Sequence, residues 1–222
     1  MSWLLNLLQK LFKPKPPQPK AAEPVKESSV IDRREFDSPV GNQEMDGNGA
    51  DNDCSSYACA SALSQFVFFK MGTKTVFSPN TIWKLQKGAQ NLTAALNACG
   101  KFPGQEGARD SQGVLYSLDR YEPRDVSEPI SDFINRHLFC GHSIVMELKQ
   151  SGPLNNGSWV IAPNAVYDST HAVSVSALLP EGVVIKNSFG VGHGQNGFQL
   201  IPLSQLNRNV IALYALCRVS RV

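Results

Sequence analysis

Asn187-Ser188-Phe189-Gly190 is the stretch that decides the fold, and His193-Gly194 and Gly197-Phe198 follow it closely. Asn beside Ser and Gly is typical of a turn. Sixteen residues before Asn187 stands His171, which opens a β-type run of apolar and small residues. A strand that carries a His and a Gly-rich turn that carries an Asn can together hold one imidazole ring in place, as Cys-His-Asn hydrolases require.

A thiol far upstream completes this set. Cys54 follows three residues that can cap a helix, and Gly72 can end that helix, so we predict a buried helix over residues 54–70. The helix dipole at Cys54 favours the thiolate and lowers the thiol pKa, whereas Asp51 and Asp53 oppose this. Without its partners Cys54 would be read as an inert buried thiol. With His171 and Asn187 we interpret it as a nucleophile, His171 as its base and Asn187 as the residue that fixes the imidazole ring.

Four pieces of the chain follow one another in a set order. They are Asp32-Arg33-Arg34 followed by Ser38-Pro39-Val40-Gly41-Asn42-Gln43, the run that begins at Cys54, Thr170-His171-Ala172-Val173, and the block from Lys186 to Phe198. Taken together, they resemble the papain-like cysteine peptidases, and the resemblance spans roughly residues 30–215. It implies an α+β fold in which a helical lobe and a β-barrel-like lobe meet at an active-site cleft. It also implies a cysteine endopeptidase that cleaves polypeptides through a thioester acyl-enzyme.

The donor for the oxyanion has two candidates. Gln43 has the sequence context of the family's oxyanion glutamine but lies eleven residues before Cys54, and the family's spacing is six. Asn48 has that spacing and is the rival. We prefer Gln43, acting with the backbone N–H of Cys54. The aromatic residue that the family places after the nucleophile is Ser55 here, and its two tryptophans correspond to Phe189 and His193.

The composition and the apolar pattern of the chain predict three parts. Residues 1–13 contain apolar residues at helical spacing and predict an amphipathic helix, and residues 14–29 are a Pro/Lys-rich linker. Residues 30–222 are the peptidase domain, with its helical lobe at about 54–138 and its β-rich lobe at about 140–222. Within the helical lobe we expect helices over 78–100, 111–121 and 127–138, and short strands follow after Cys140.

We interpret the N-terminal helix as an anchor to a membrane surface or a docking helix for a protein partner. The alternatives are a helix that packs back on its own domain and a segment that is disordered. The segment 1–26 holds five Lys and one Glu, so the basic character belongs to this arm. The formal net charge is only +2, and we expect no nucleic-acid partner. We recognise no signal peptide, and five cysteines, an odd number, favour a reducing, cytoplasmic compartment.

No cofactor or metal is expected from the sequence. His137 and His142 flank Cys140, but their spacing does not form a standard zinc set, so we read them as surface or packing residues. Two other functions remain open. One is hydrolysis of another amide, such as an isopeptide link or a cell-wall peptide, by the same triad. The other is a catalytically weak papain-fold protein used for binding or assembly.

Overall fold

The structure is a computed structural model, and it describes residues 30–43, 53–87, 89, 91–100, 107–151, 157–161 and 167–222. The predicted amphipathic helix 1–13, the linker 14–29 and the rival oxyanion residue Asn48 lie outside the described residues. Among the described helices, none combines the length and apolar character needed to cross a bilayer.

Five α-helices, eight strands and two short 3₁₀ helices, Arg34–Phe36 and Leu203–Gln205, occur in the described part of the chain. The helices are α1 Cys54–Met71, α2 Pro79–Leu85, α3 Leu92–Ala98, α4 Ile130–Phe139 and α5 Leu206–Asn209. The strands are β1 Ile31–Asp32, β2 Ala108–Arg109, β3 Leu115–Pro123, β4 Ser143–Ser151, β5 Tyr167–Leu179, β6 Gly182–Lys186, β7 Phe198–Pro202 and β8 Val210–Arg221.

All eight strands belong to one antiparallel sheet. Its order is β2-β3-β8-β4-β5-β6-β7, and β1 adds to β5 through the pair Ile31 and Leu178. The α+β class predicted from the sequence is confirmed. Across the described ranges the sheet path runs from β2 to β7 without closing on itself, so the β-rich part is an open sheet and not a closed barrel.

The predicted helix over 111–121 is wrong. These residues enter β3, which pairs with β2 through Tyr116 and with β8 through Leu118 opposite Val219. The apolar residues of this segment fit a short helical pattern as well as a strand pattern, and pairing with distant strands decides between the two. The range expected to be the helical lobe, 54–138, therefore contributes two strands to the main sheet.

Helix α1 is the central helix, as predicted. It ends at Gly72, whose φ of 67° suits glycine and whose N–H donates to the Phe68 carbonyl at 2.9 Å. Twelve of its eighteen residues are buried, so it is covered on nearly all sides, as a core helix is. The small side chains of Ala58, Ala60 and Ala62 allow neighbouring elements to approach closely.

The sheet is covered on both faces, because neighbouring residues of one strand enter different apolar clusters. Ala172 of β5 packs in the cluster that contains α1, whereas Val173 packs in the cluster that contains Phe133 of α4. Successive side chains of a strand point to opposite faces. The N-terminus of α1, which carries Cys54, thus lies against the same sheet whose β5 carries His171.

Candidate active site

His171 and Asn187 form a direct hydrogen bond between Nε2 and Oδ1 at 2.9 Å. Strand register explains the contact. β5 and β6 pair with Ser174 opposite Lys186, so the same register, continued past the ladder, brings His171 level with the turn that follows β6. Both side chains are buried, at 2% and 3% exposed. The sequence spacing that singled out these two residues therefore corresponds to a contact.

The orientation of the Asn187 side chain is fixed by two further hydrogen bonds. Its Oδ1 also accepts from the backbone N–H of Ser188 at 2.8 Å, and its Nδ2 donates to Gln199 Oε1 at 2.7 Å. Gln199 is fully buried and donates through Nε2 to the Ser158 carbonyl at 3.0 Å. With Oδ1 held as an acceptor, His171 carries its proton on Nε2, and Nδ1 keeps the lone pair that can take a proton.

Gln199 was missed in the sequence. It stands in the buried run of β7, where its neighbours Leu200 and Ile201 are apolar and buried. A polar residue in such a run needs a hydrogen-bond partner, because burying an amide without one is costly. That signal was present in the sequence, but the identity of the partner depends on the pairing of β7 with β6.

Phe189 covers the imidazole of His171. The two rings stack with centroids 4.8 Å apart and planes 10° from parallel. The ring of His193 also packs near Phe189, with centroids 5.3 Å apart, and its Nδ1 donates to the Phe189 carbonyl at 2.8 Å. The aromatic shield therefore excludes water from one face of the His171 ring.

Burial lowers the pKa of His171 to about 4, and the hydrogen bond to Asn187 offsets only part of this effect. The charged imidazolium loses more from burial than it gains from a neutral amide oxygen. At neutral pH the resting ring is therefore the uncharged imidazole, which can accept a proton on Nδ1.

Cys54 occupies the first position of α1, where it is partly exposed. Burial raises the pKa of its thiol, the carboxylates of Asp53 and Glu147 raise it further, and hydrogen bonds from the backbone of Ala172 and Ser55 lower it. The sequence set the helix dipole against the nearby carboxylates, and burial against the sheet adds the largest contribution that raises this pKa. The contact with Ala172 brings the thiol to the residue that directly follows His171.

Gln43 joins the group through Ser188. Its backbone N–H donates to the Ser188 carbonyl at 2.8 Å, and its Oε1 accepts from Ser188 Oγ at 2.5 Å. The side-chain Nε2 is thereby the end of Gln43 left to donate. The segment continues antiparallel to the turn, since Gly190 N–H donates to the Gly41 carbonyl at 3.0 Å. The structure thus connects Gln43, Asn187 and His171 in one hydrogen-bonded group.

Solved structures of cysteine proteases match the chain over most of its length. The chain has the papain-like fold. Sequence identity to these structures is low. No protein-family model and no curated protein matches the sequence. Three of the similar structures are xylellain, a cysteine protease from Xylella fastidiosa (14% identity, 84% of this chain and 85% of that one, TM-score 0.60), procathepsin L 3 of the Tenebrio molitor larval midgut (15%, 89% and 73%, 0.64) and the Carica candamarcensis cysteine protease CMS1MS2 (17%, 78% and 88%, 0.60).

A cavity of about 220 Å³ adjoins the candidate site of this papain-like fold. Ala172, Asn187 and Ser188 form part of its wall, and most of the remaining wall is apolar. The buried ammonium of Lys186 also lines it, and Nζ donates to both the carbonyl and Oγ of Ser38 at 2.7 Å. An apolar side chain bound here would lie beside the residues that hold the imidazole.

All five cysteines are free thiols. Among the described residues, one further group carries metal-type donor atoms: His137, His142 and Cys217. None of the three takes part in the hydrogen bonds around His171. The sequence interpretation of His137 and His142 as packing residues left out Cys217, which β8 brings to them.

Proposed function

We propose that the chain is a cysteine endopeptidase, with Cys54 as nucleophile, His171 as base and acid, and Asn187 as the residue that orients the imidazole. The observation that carries the proposal is the 2.9 Å hydrogen bond from His171 to Asn187 in a chain with the papain-like fold. The contact between the Cys54 sulfur and the backbone of Ala172 supports it, because it draws the thiol to the same part of β5.

The proposed reaction starts from neutral partners. The His171 pKa is lowered to about 4 and the Cys54 pKa is raised, so thiol and imidazole are both uncharged at pH 7. Nδ1 of His171 takes the thiol proton as the sulfur attacks the peptide carbonyl carbon. The resulting imidazolium gives this proton to the leaving amine, and a thioester remains on Cys54. Water then attacks the thioester, with His171 again acting as base.

The oxyanion of each tetrahedral intermediate needs donors aimed at it. The backbone N–H of Cys54 and Nε2 of Gln43 are the proposed donors. Gln43 suits this role because Ser188 binds its Oε1, which fixes which end of the amide donates. Polypeptide is the proposed substrate, and the apolar cavity beside Asn187 would take one of its side chains.

The test is cleavage of a proteome-derived peptide library by the full chain, read by mass spectrometry. We expect cleavage by the wild-type protein and by Cys140→Ala, which removes an exposed thiol, and no cleavage by Cys54→Ala. Cleavage that survives in Cys54→Ala would refute the assignment.

A protein that binds and does not cleave is the second candidate, and the pKa values of the site favour it. A thiol with a raised pKa beside an imidazole with a lowered pKa is a poor source of thiolate. Folded wild-type protein that retains peptides from the library without cutting them would support this candidate over the peptidase.

A further inference from the structure

A second cluster of reactive side chains lies where α4, the turn before β4 and β8 meet. His137 is in the last turn of α4, and the N–H of His142 donates to the His137 carbonyl at 2.9 Å, which closes the turn. β4 and β8 pair with Ser143 opposite Leu216, so the same register places His142 beside Cys217. Sheet register therefore gathers two imidazoles and one thiol from distant parts of the chain.

The donor atoms of these three side chains all lie within 4.8 Å of one another. The Nδ1 atoms of His137 and His142 are 2.8 Å apart. A tetrahedral zinc ion, with Zn–N of about 2.1 Å and Zn–S of about 2.3 Å, holds its ligand atoms about 3.5 Å apart. Side-chain shifts of about 1 Å would thus convert the cluster into a coordination sphere.

Glu122 lies beside the other ring nitrogen of His137. Its Oε1 is 3.5 Å from His137 Nε2 and accepts a hydrogen bond from Arg136 Nη1 at 3.1 Å. A carboxylate beside Nε2 favours the tautomer with its proton on Nε2, which leaves the lone pair on Nδ1, the atom that faces His142. A carboxylate behind a metal-binding imidazole commonly fixes its tautomer in this way.

The chemistry of the three side chains suits a divalent cation. Zn²⁺ binds neutral imidazole and thiolate. Metal binding would therefore release the thiol proton of Cys217 to solvent, because the ligand is the thiolate.

We propose that His137, His142 and Cys217 form a zinc site, in which water fills the fourth position and Glu122 orients His137. Two imidazoles and one thiolate are a borderline-soft donor set that suits Zn²⁺. The ion would join the end of α4 to β8 and stabilise the fold. The residues of the proposed catalytic group are not involved, so this site does not depend on the peptidase proposal.

The test is a Zn²⁺ titration of the full chain against a chromogenic chelator, with bound metal measured by elemental analysis. We expect one Zn²⁺ per chain. Glu122→Gln should weaken binding about 10- to 100-fold, as loss of an orienting carboxylate commonly does. Cys217→Ser and His142→Asn remove ligands and should weaken it further. Cys140→Ser, an exposed thiol two residues before His142, and Cys54→Ala should bind as the wild type does.

Co²⁺ provides a readout that does not depend on affinity. With Cys217 as a ligand, Co²⁺ should give a thiolate-to-metal charge-transfer band that Cys217→Ser loses and Cys140→Ser keeps.

Circular dichroism will show whether each variant is folded, and Cys217→Ser is close to isosteric. The proposal is overturned if the folded wild type binds no Zn²⁺, or if Cys54→Ala or Cys140→Ser abolishes binding. In either case the two imidazoles form only a hydrogen bond with each other.

Discussion

His171 Nε2 lies 2.9 Å from Asn187 Oδ1, and this contact fixes the chemistry of the whole imidazole. Asn187 cannot turn its amide without losing its bonds to Ser188 and Gln199. The proton of His171 is therefore held on Nε2, and the basic nitrogen is Nδ1.

Gln199→Leu should lower kcat about tenfold and leave KM unchanged. The reason is that Asn187 Nδ2 loses its acceptor, and an unpaired buried amide costs about 1–3 kcal/mol. Urea unfolding should show a stability loss of the same order. Gln205→Leu is the matched control. Gln205 Oε1 also accepts from an Asn amide, Asn209 Nδ2, at 3.4 Å, but Gln205 lies just before α5 and takes no part in the bonds around His171. The control should lose stability and keep kcat; an equal fall in kcat in both variants would count against the positioning role of Gln199.

Phe189→Ala should raise the pKa of His171 from about 4 toward its ordinary 6.5, because water then reaches the stacked face of the ring. A histidine ring titration by NMR measures this directly. The substitution should also cost about 3–5 kcal/mol of stability, as Phe-to-Ala changes in cores do. Phe189→Leu keeps most of the cover and should shift the pKa less. An unchanged pKa in Phe189→Ala would show that the shield is not its cause.

His171 should make stability fall as the pH falls. Its native pKa of about 4 lies below the unfolded value of about 6.5, so the unfolded chain binds more protons between these pH values. The stabilisation is complete above pH 6.5 and is lost progressively as the pH falls from 6.5 through 4. The loss at pH 4.5 amounts to about 2–3 kcal/mol.

Comparison with His171→Gln isolates this effect. Asp37, whose pKa burial raises to about 6, acts with the opposite sign in the same pH range, and this contribution cancels between the two proteins. Urea unfolding at pH 7 and pH 4.5 should show the wild type losing stability relative to the variant. Parallel curves would mean that His171 is not titrating abnormally.

Gln43→Ala should lower kcat by about 10²–10³-fold if Gln43 Nε2 stabilises the oxyanion. Asn48→Ala should then leave kcat nearly unchanged. Ser188→Ala removes the hydroxyl that binds Gln43 Oε1 and should give a smaller loss than Gln43→Ala. A large loss in Asn48→Ala together with normal activity in Gln43→Ala would assign the donor role to Asn48.

Elements marked by turn and capping residues close by in the sequence were predicted correctly. The caps, length and Gly72 stop of α1 defined a helix, and the Gly-rich turn at Asn187 after a β-type run defined a strand and its turn. The resemblance of these ordered signals to the papain-like cysteine peptidases led to the predicted α+β fold and to the predicted pairing of His171 with Asn187.

The remaining features depend on contacts between distant parts of the chain. Residues 115–123 form a strand because β8 and β2 pair with them, and their own pattern also allowed a helix. The Cys54 pKa rises because the helix start is buried against Ala172, which no local pattern reports. Likewise, Gln199 meets Asn187, and Cys217 meets two histidines, only through the register of the sheet.

The most direct measurement is labelling of the full chain with a panel of peptidyl vinyl sulfones, followed by peptide mapping. Such a probe reacts in the cleft with a thiol that a nearby base deprotonates. We expect labelling of Cys54 in the wild-type protein, loss of that labelling in His171→Ala, and no comparable labelling of the other four cysteines. Labelling of Cys54 that is equally fast in folded His171→Ala would contradict the pairing of Cys54 with His171, as would a folded wild-type protein in which Cys54 reacts no faster than the exposed Cys140.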